Sequence, residues 1–250
     1  MLARVAAADA SAAPWLVPYR PAAQQLLAQF GPGISLARAL NATLAGLPPI
    51  RLDAGALRFG EPDALPFGEA YESHVARTGC VPVRDDPHDL FNALVWFTHP
   101  RLKAQLNRLH AQALARPQVA GRRGPVRDAL TLFDENGAVL RAPAALVQAL
   151  RERDWQPLFG TRRALWQDAS LQLVGHALLE KLLRPRKAIT AHVWVVDAGA
   201  GDAWVAGLTP QRLEAKPFLG LPVLGVPGWW PANEDPAFYA EPQVFRPPPR

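Results

Sequence analysis

Twenty-six prolines in 250 residues, scattered along the whole chain, set the tightest limit on what this sequence can fold into. A proline inside a helix removes an amide donor and clashes with the preceding turn; only the first turn accepts it without cost. Helices must therefore be short and begin or end near prolines, with hairpins and irregular segments between them. Helices are expected over 21–30 and over 35–44, the second with Ser35 as its N-cap. A short hairpin is expected at 50–59 around Asp53-Ala54-Gly55, then a helix over 69–77 that stops at Gly79.

Pro87 suits the first turn of the next helix, which runs to Phe97. After Asp89 that helix is apolar on nearly every face, the mark of a buried central element. Pro100 opens another helix, with Leu102, Leu106, Leu109 and Ala113 on one face. Residues 129–133 read as a strand, with Asp134-Glu135-Asn136-Gly137 as its turn, Gly137 in the left-handed conformation and 138–140 returning. Helices follow over 144–153 and 162–183, then the clearest strand of the chain over 189–196, and a turn or two of helix over 209–215. The stretch 218–250 is mostly proline, glycine and aromatic residues, and is expected as an irregular strap packed down by Trp229, Trp230, Phe238, Tyr239 and Phe245.

This order of elements predicts an α+β fold, predominantly helical, as a single domain over 1–250. The 49% apolar content is enough to build a core. Residues 1–14 lack an apolar run of signal-peptide length and read as a frayed start. No segment supplies the ~20 apolar residues of a membrane span, and Pro217, Pro222, Pro227 and Pro231 interrupt the longest uncharged stretch. A single cysteine, Cys80, excludes an internal disulfide and a cysteine zinc site. A soluble protein of the cytoplasm is the expectation.

The chemistry-bearing residues fall in two sets. In the expected helix over 162–183, Gln172, His176 and Glu180 at i, i+4 and i+8 form a narrow polar stripe flanked by leucines. A carboxylate and an imidazole in such surroundings must be paired or bound to a metal. His88 and Asn92 stand i, i+4 on the buried helix, and His192 shares a strand face with Thr190 and Trp194. Asp128 and Asp134 fall on one side of the expected hairpin strand. If these elements converge, His88, His176, Glu180 and His192 form a nitrogen and oxygen ligand set for a divalent metal such as zinc, manganese or iron. Asp128 or Asp134 would then act as general base and Arg127 as an anion clamp, in a metal-dependent hydrolase or related lyase acting on a polar or phosphate-bearing substrate. The bland alternative makes each histidine a hydrogen-bonded core residue, Asp89 a helix-dipole charge, and Asp134 and Asn136 turn formers.

The second set is electrostatic. The net charge is +5, and 101–127 contains no acid while Arg101, Lys103, Arg108, Arg116, Arg122, Arg123 and Arg127 add seven cations. Phosphate or nucleic acid is one reading, with Arg122 and Arg123 on a glycine-flanked loop as contacts; a solvated helix face carrying Arg101, Arg108 and Gln112 is the other. A third possibility is a structural or partner-binding protein. The sequence lacks the H-E-x-x-H, G-x-S-x-G, phosphate-loop and dinucleotide motifs. Cys80 lies before Val81-Pro82 without a glycine loop, which disfavours a Cys80–His88 nucleophile and base.

The blocks VPVRDDPHDLFNALVWFTHPRLKAQLN, RDALTLFDENG, GHALLEKLL and LPVLGVPGW, closed by FYAEPQVFRP, resemble a proteobacterial family known as domain of unknown function 3025. The resemblance spans 65–250. It implies a self-contained domain and no particular reaction, substrate or cofactor. It also directs attention to His88, Asp89, Asn92, Arg127, Asp128, Asp134, His176 and Glu180, which lie inside the blocks, and away from Cys80 and His99.

Overall fold

The computed structural model describes residues 1–115, 124–197, 199 and 201–247. It is α+β and mostly helical, as its proline spacing requires. The chain divides into two compact units that interleave in sequence: Met1–Ala8, Pro18–Thr131 and Val205–Lys216 form the first, and Asp9–Val17, Leu132–Trp204 and Pro217–Arg250 the second.

The first unit is built on helices. Its start is not frayed: α1 (Leu2–Ala6) is ordered, Val5 is fully buried, and α1 packs on α2 (Arg20–Leu27). The Gln24 amide donates to the Ala6 carbonyl at 3.0 Å and holds that contact. Ser35 caps α3 (Leu36–Ala45) by accepting from the Arg38 amide. β1 (Arg51–Leu52) and β2 (Gly55–Ala56) form the expected hairpin, and β3 (Arg58–Gly60) pairs in parallel with β4 (Cys80–Pro82). Asn41 of α3 completes the other edge of β3, exchanging two hydrogen bonds with the Phe59 backbone at 2.8 and 2.9 Å. Between β3 and β4, α4 (Tyr71–Thr78) ends at Gly79, whose φ of 65° is the left-handed stop glycine supplies without strain.

α5 (Pro87–Thr98) is the central helix: Asp86 caps it, and Leu90 through Trp96 are all buried. It packs on α2, α3 and α6 (Pro100–Ala115). α10 (Pro210–Glu214), capped by Thr209, completes the unit.

Residues 129–133 are not a strand. They belong to α7 (Pro125–Asn136), whose Ala129, Leu130 and Phe133 are completely buried. Proline at the start and Asp128 in the first turn suit a helix N-terminus. Residues up to Thr131 count with the first unit and those from Leu132 with the second.

In the second unit a four-stranded mixed sheet runs in the order β6 (Ser170–Leu173), β5 (Gly137–Arg141), β7 (Thr190–Val195), β8 (Leu219–Pro222). β5 and β7 are parallel, and both outer pairs are antiparallel. The expected helix over 162–183 is broken into a 3-10 segment, Arg163–Asp168, then β6, then α9 (His176–Lys181). α8 (Ala144–Glu152) forms as expected and packs on β8.

The C-terminal segment first contributes β8 to the sheet and then becomes the packed strap. Phe159 is its anchor, stacked on Tyr239 at 4.8 Å and on Trp166 at 5.9 Å, with Phe245 edge-on. Asn233, 1% exposed, donates to the carbonyls of Leu224 and Val226 and fixes the turn between β8 and the strap. Trp229 meets Trp15 at 5.9 Å, so it is packed rather than presented to solvent.

Candidate functional site

Two glycines build the polar site of the second unit. The Gly137 carbonyl accepts from both Val174 N and Gly175 N at 2.9 Å, drawing the β6–α9 junction onto the end of α7. A Cβ on Gly175 would lie 2.6 Å from Asn136 Cα and N, so only glycine fits. A Cβ on Gly137 would strike the Phe133 carbonyl and ring. Gly137 is therefore required by close approach, not by the left-handed turn expected from sequence; its φ is not in that region.

This contact sets His176, the first residue of α9 and 4% exposed, beside the last turn of α7. Nδ1 of His176 lies 3.9 Å from Asp134 Oδ2, and Nε2 lies 3.5 Å from Glu135 Oε1. Both carboxylates are partly shielded, with side chains 22% and 32% exposed. The imidazole thus has a carboxylate opposite each ring nitrogen. Next to this trio, Lys181 Nζ donates to Asn136 Oδ1 at 2.7 Å.

The stripe Gln172, His176, Glu180 does not exist as one helix face: Gln172 is on β6, and only His176 and Glu180 share α9. Asp128 and Asp134 do not share a strand face either, because both are on α7, where a six-residue separation turns them to different sides. Asp128 and Arg127 sit half-buried in the first turns of α7, within the first unit. His88 is also in the first unit, in the first turn of α5; one turn on, Asn92 is buried and donates to the Tyr71 hydroxyl at 2.9 Å.

His192 lies half-buried on β7 with the Phe218 ring edge-on at 6.4 Å. Burial first, and the charge of Lys181 second, hold its pKa below the ordinary imidazole value. Asp89 accepts from Arg84 N at 2.8 Å and from its guanidinium, a first-turn structural charge as expected. Burial pushes the Cys80 thiol up, against a smaller opposing effect of Arg58, the opposite of the shift that activates a cysteine nucleophile.

Glu135, placed in a turn by the sequence reading, is the residue missed. The signal was present: Val126, Ala129, Leu130 and Phe133 are spaced as a helix face, which carries Asp134 and Glu135 into the last turn. In the acid-free stretch, Arg101, Arg108 and Gln112 are exposed on α6 as a solvated face requires. Lys103 is instead 4% exposed, its ammonium 5.5 Å from the centre of the Trp96 ring. Arg122 and Arg123 lie outside the described residues. No helix among the described residues is long and apolar enough to cross a membrane.

Comparison with curated proteins and with solved structures returns no match. Residues 57–249 match the family described as protein of unknown function, DUF3025, and with that match covering most of its length the chain belongs to this family.

Proposed function

We propose that the protein is a metal-dependent enzyme of the hydrolase type, with Glu135 and His176 as metal ligands and Asp134 orienting the histidine. The observation that carries the reading is the 3.5 Å between His176 Nε2 and Glu135 Oε1. Two ligands held at ~2.0–2.1 Å from a tetrahedral ion stand about 3.4 Å apart, so this pair has the spacing of a chelating set. Asp134 faces the other ring nitrogen at 3.9 Å, beyond hydrogen-bond distance, on the side where a histidine ligand keeps its outer carboxylate; closing that gap on metal binding would fix the tautomer. A divalent ion there would supply Lewis acidity and a nucleophilic water near neutral pH. The chain's own part is to hold Nε2 facing Glu135 and to keep the site partly shielded from water.

Elemental analysis of purified protein, with melting temperatures recorded on adding zinc, manganese and ferrous ions, tests this. Stoichiometric metal and a rise in melting temperature, both lost in Glu135→Gln and His176→Ala, are expected. A metal-free protein with no shift from any ion refutes it and leaves the trio as a structural ion cluster.

A second reading, anion or nucleic-acid binding through the acid-free stretch, is favoured by the exposure of Arg101 and Arg108 on α6. Affinity for a labelled oligonucleotide that falls steeply with salt, and falls again on removing Arg122 and Arg123, would support it. Salt-independent or absent binding refutes it.

A further inference from the structure

A cavity of about 300 Å³ lies in the second unit beside β7 and β8, lined by Arg153, Trp155, Thr190, Gly220, Gln243 and Arg246 among others, with no carboxylate in its wall. We propose that it binds a small phosphate ester carrying a planar ring.

The walls divide by chemistry. Arg246 Nε donates to the Gln243 carbonyl at 2.9 Å, which fixes the guanidinium and leaves its terminal nitrogens as donors. Arg153 and Arg246 both line the cavity and no acid does, so it offers cations whose planar forks can engage a phosphate bidentately. Trp155 contributes differently. Its indole N–H already donates to the Arg246 carbonyl at 2.7 Å, so the ring offers the cavity carbon surface rather than a donor. Phe159 stacks on it at 6.0 Å with planes 7° apart, and Phe245 meets it edge-on, so the indole is held as a rigid platform. A charged group beside a flat apolar surface is recognised by a ligand with the same two parts. The strap's nearby acid, Glu241, is taken by Lys187 at 2.8 Å.

Two backbone features favour a kept site. Arg153 stops α8 in the left-handed conformation, φ 53° and ψ 37°, while Asp154 N bonds back to the Ala149 carbonyl. Glycine fills such a stop without strain, so the turn itself does not call for an arginine there. Gly220 has φ outside the left-handed region, and a Cβ on it would meet only Thr190 Cγ2 at 3.7 Å, an ordinary contact. Packing does not demand that glycine; its missing side chain keeps the cavity open.

Calorimetric titration at low salt with adenosine 5′-monophosphate, inorganic phosphate and adenosine tests the assignment. The monophosphate is expected to bind, phosphate to bind more weakly, and adenosine to bind least. Arg153→Gly is the decisive variant: it relieves the strained stop, so the melting temperature should hold or rise while affinity falls at least tenfold. Arg246→Gln should weaken binding similarly, and Gly220→Val should block it by filling the cavity. Absence of monophosphate binding, binding no tighter than that of phosphate, or binding unchanged in both arginine variants overturns the proposal.

Discussion

Gly175→Ala tests the local architecture that produces the candidate site. The added methyl would lie 2.6 Å from Asn136 Cα and N, and closer still to Gly137 N. All three are backbone atoms that cannot rotate away, so the β6–α9 junction must move by about 1 Å to reach van der Waals contact. That movement stretches the two 2.9 Å bonds from Val174 N and Gly175 N to the Gly137 carbonyl. Overpacking of this kind costs ~1–3 kcal/mol, and each weakened bond adds ~1 kcal/mol. The sum, about 3–5 kcal/mol, corresponds to a fall in melting temperature of roughly 6–20 °C for a chain of this size. Because His176 is the next residue, its ring should leave the chelating distance from Glu135, where tolerance is only ~0.2 Å. Thermal unfolding followed by circular dichroism, with Gly160→Ala as control, reads the effect. Gly160 has nothing closer than Gln156 Oε1 at 3.9 Å, so the control should stay within ~0.5 kcal/mol of the native protein. A Gly175→Ala protein as stable as that control would refute the close-approach argument.

Two further outcomes follow from other parts of the molecule. Asn233→Ala leaves the carbonyls of Leu224 and Val226 without their buried donor and should cost roughly 2–4 kcal/mol in urea denaturation; a loss under ~0.5 kcal/mol would mean the turn holds itself. Glu69 is held at a pKa of about 2, first by its hydrogen bonds from Arg77 and then by His74, so its folded-state value lies below the ordinary 4.5. Its contribution is therefore complete above about pH 4.5 and is lost as pH falls toward 2. The urea midpoints of native protein and Glu69→Gln should differ at pH 5, and the gap should narrow steadily below pH 4 and close only as pH falls through about 2, whereas a constant gap would contradict the pairing.

Much of the fold follows from local rules visible in the chain. Pro87 and Pro100 mark the starts of α5 and α6, Gly79 stops α4, and Ser35 caps α3, because each acts within a few residues of itself. The errors arose where a short apolar run fits two periods. Residues 129–133, Ala-Leu-Thr-Leu-Phe, are a short apolar run that suits a strand or a buried helix, and burial of Ala129, Leu130 and Phe133 on one side decides for the helix. In 162–183 the expected helix runs through Gly175, which instead marks the approach of two backbones distant in sequence. That misreading also hid the site. His176 was legible as a polar residue among leucines, but its partner Glu135 is 41 positions away, and the β5–β6 pairing with the Gly137–Gly175 contact at its end brings them together.

Cobalt(II) titration followed by visible absorption reads the proposed Glu135–His176 ion site itself, since a four-coordinate cobalt site with a nitrogen and a carboxylate ligand absorbs far more strongly than the hydrated ion. Saturable bands at one ion per chain, absent in His176→Ala and in Glu135→Gln and displaced by zinc, are expected. A titration indistinguishable from cobalt in buffer, or bands that survive both substitutions, would contradict it.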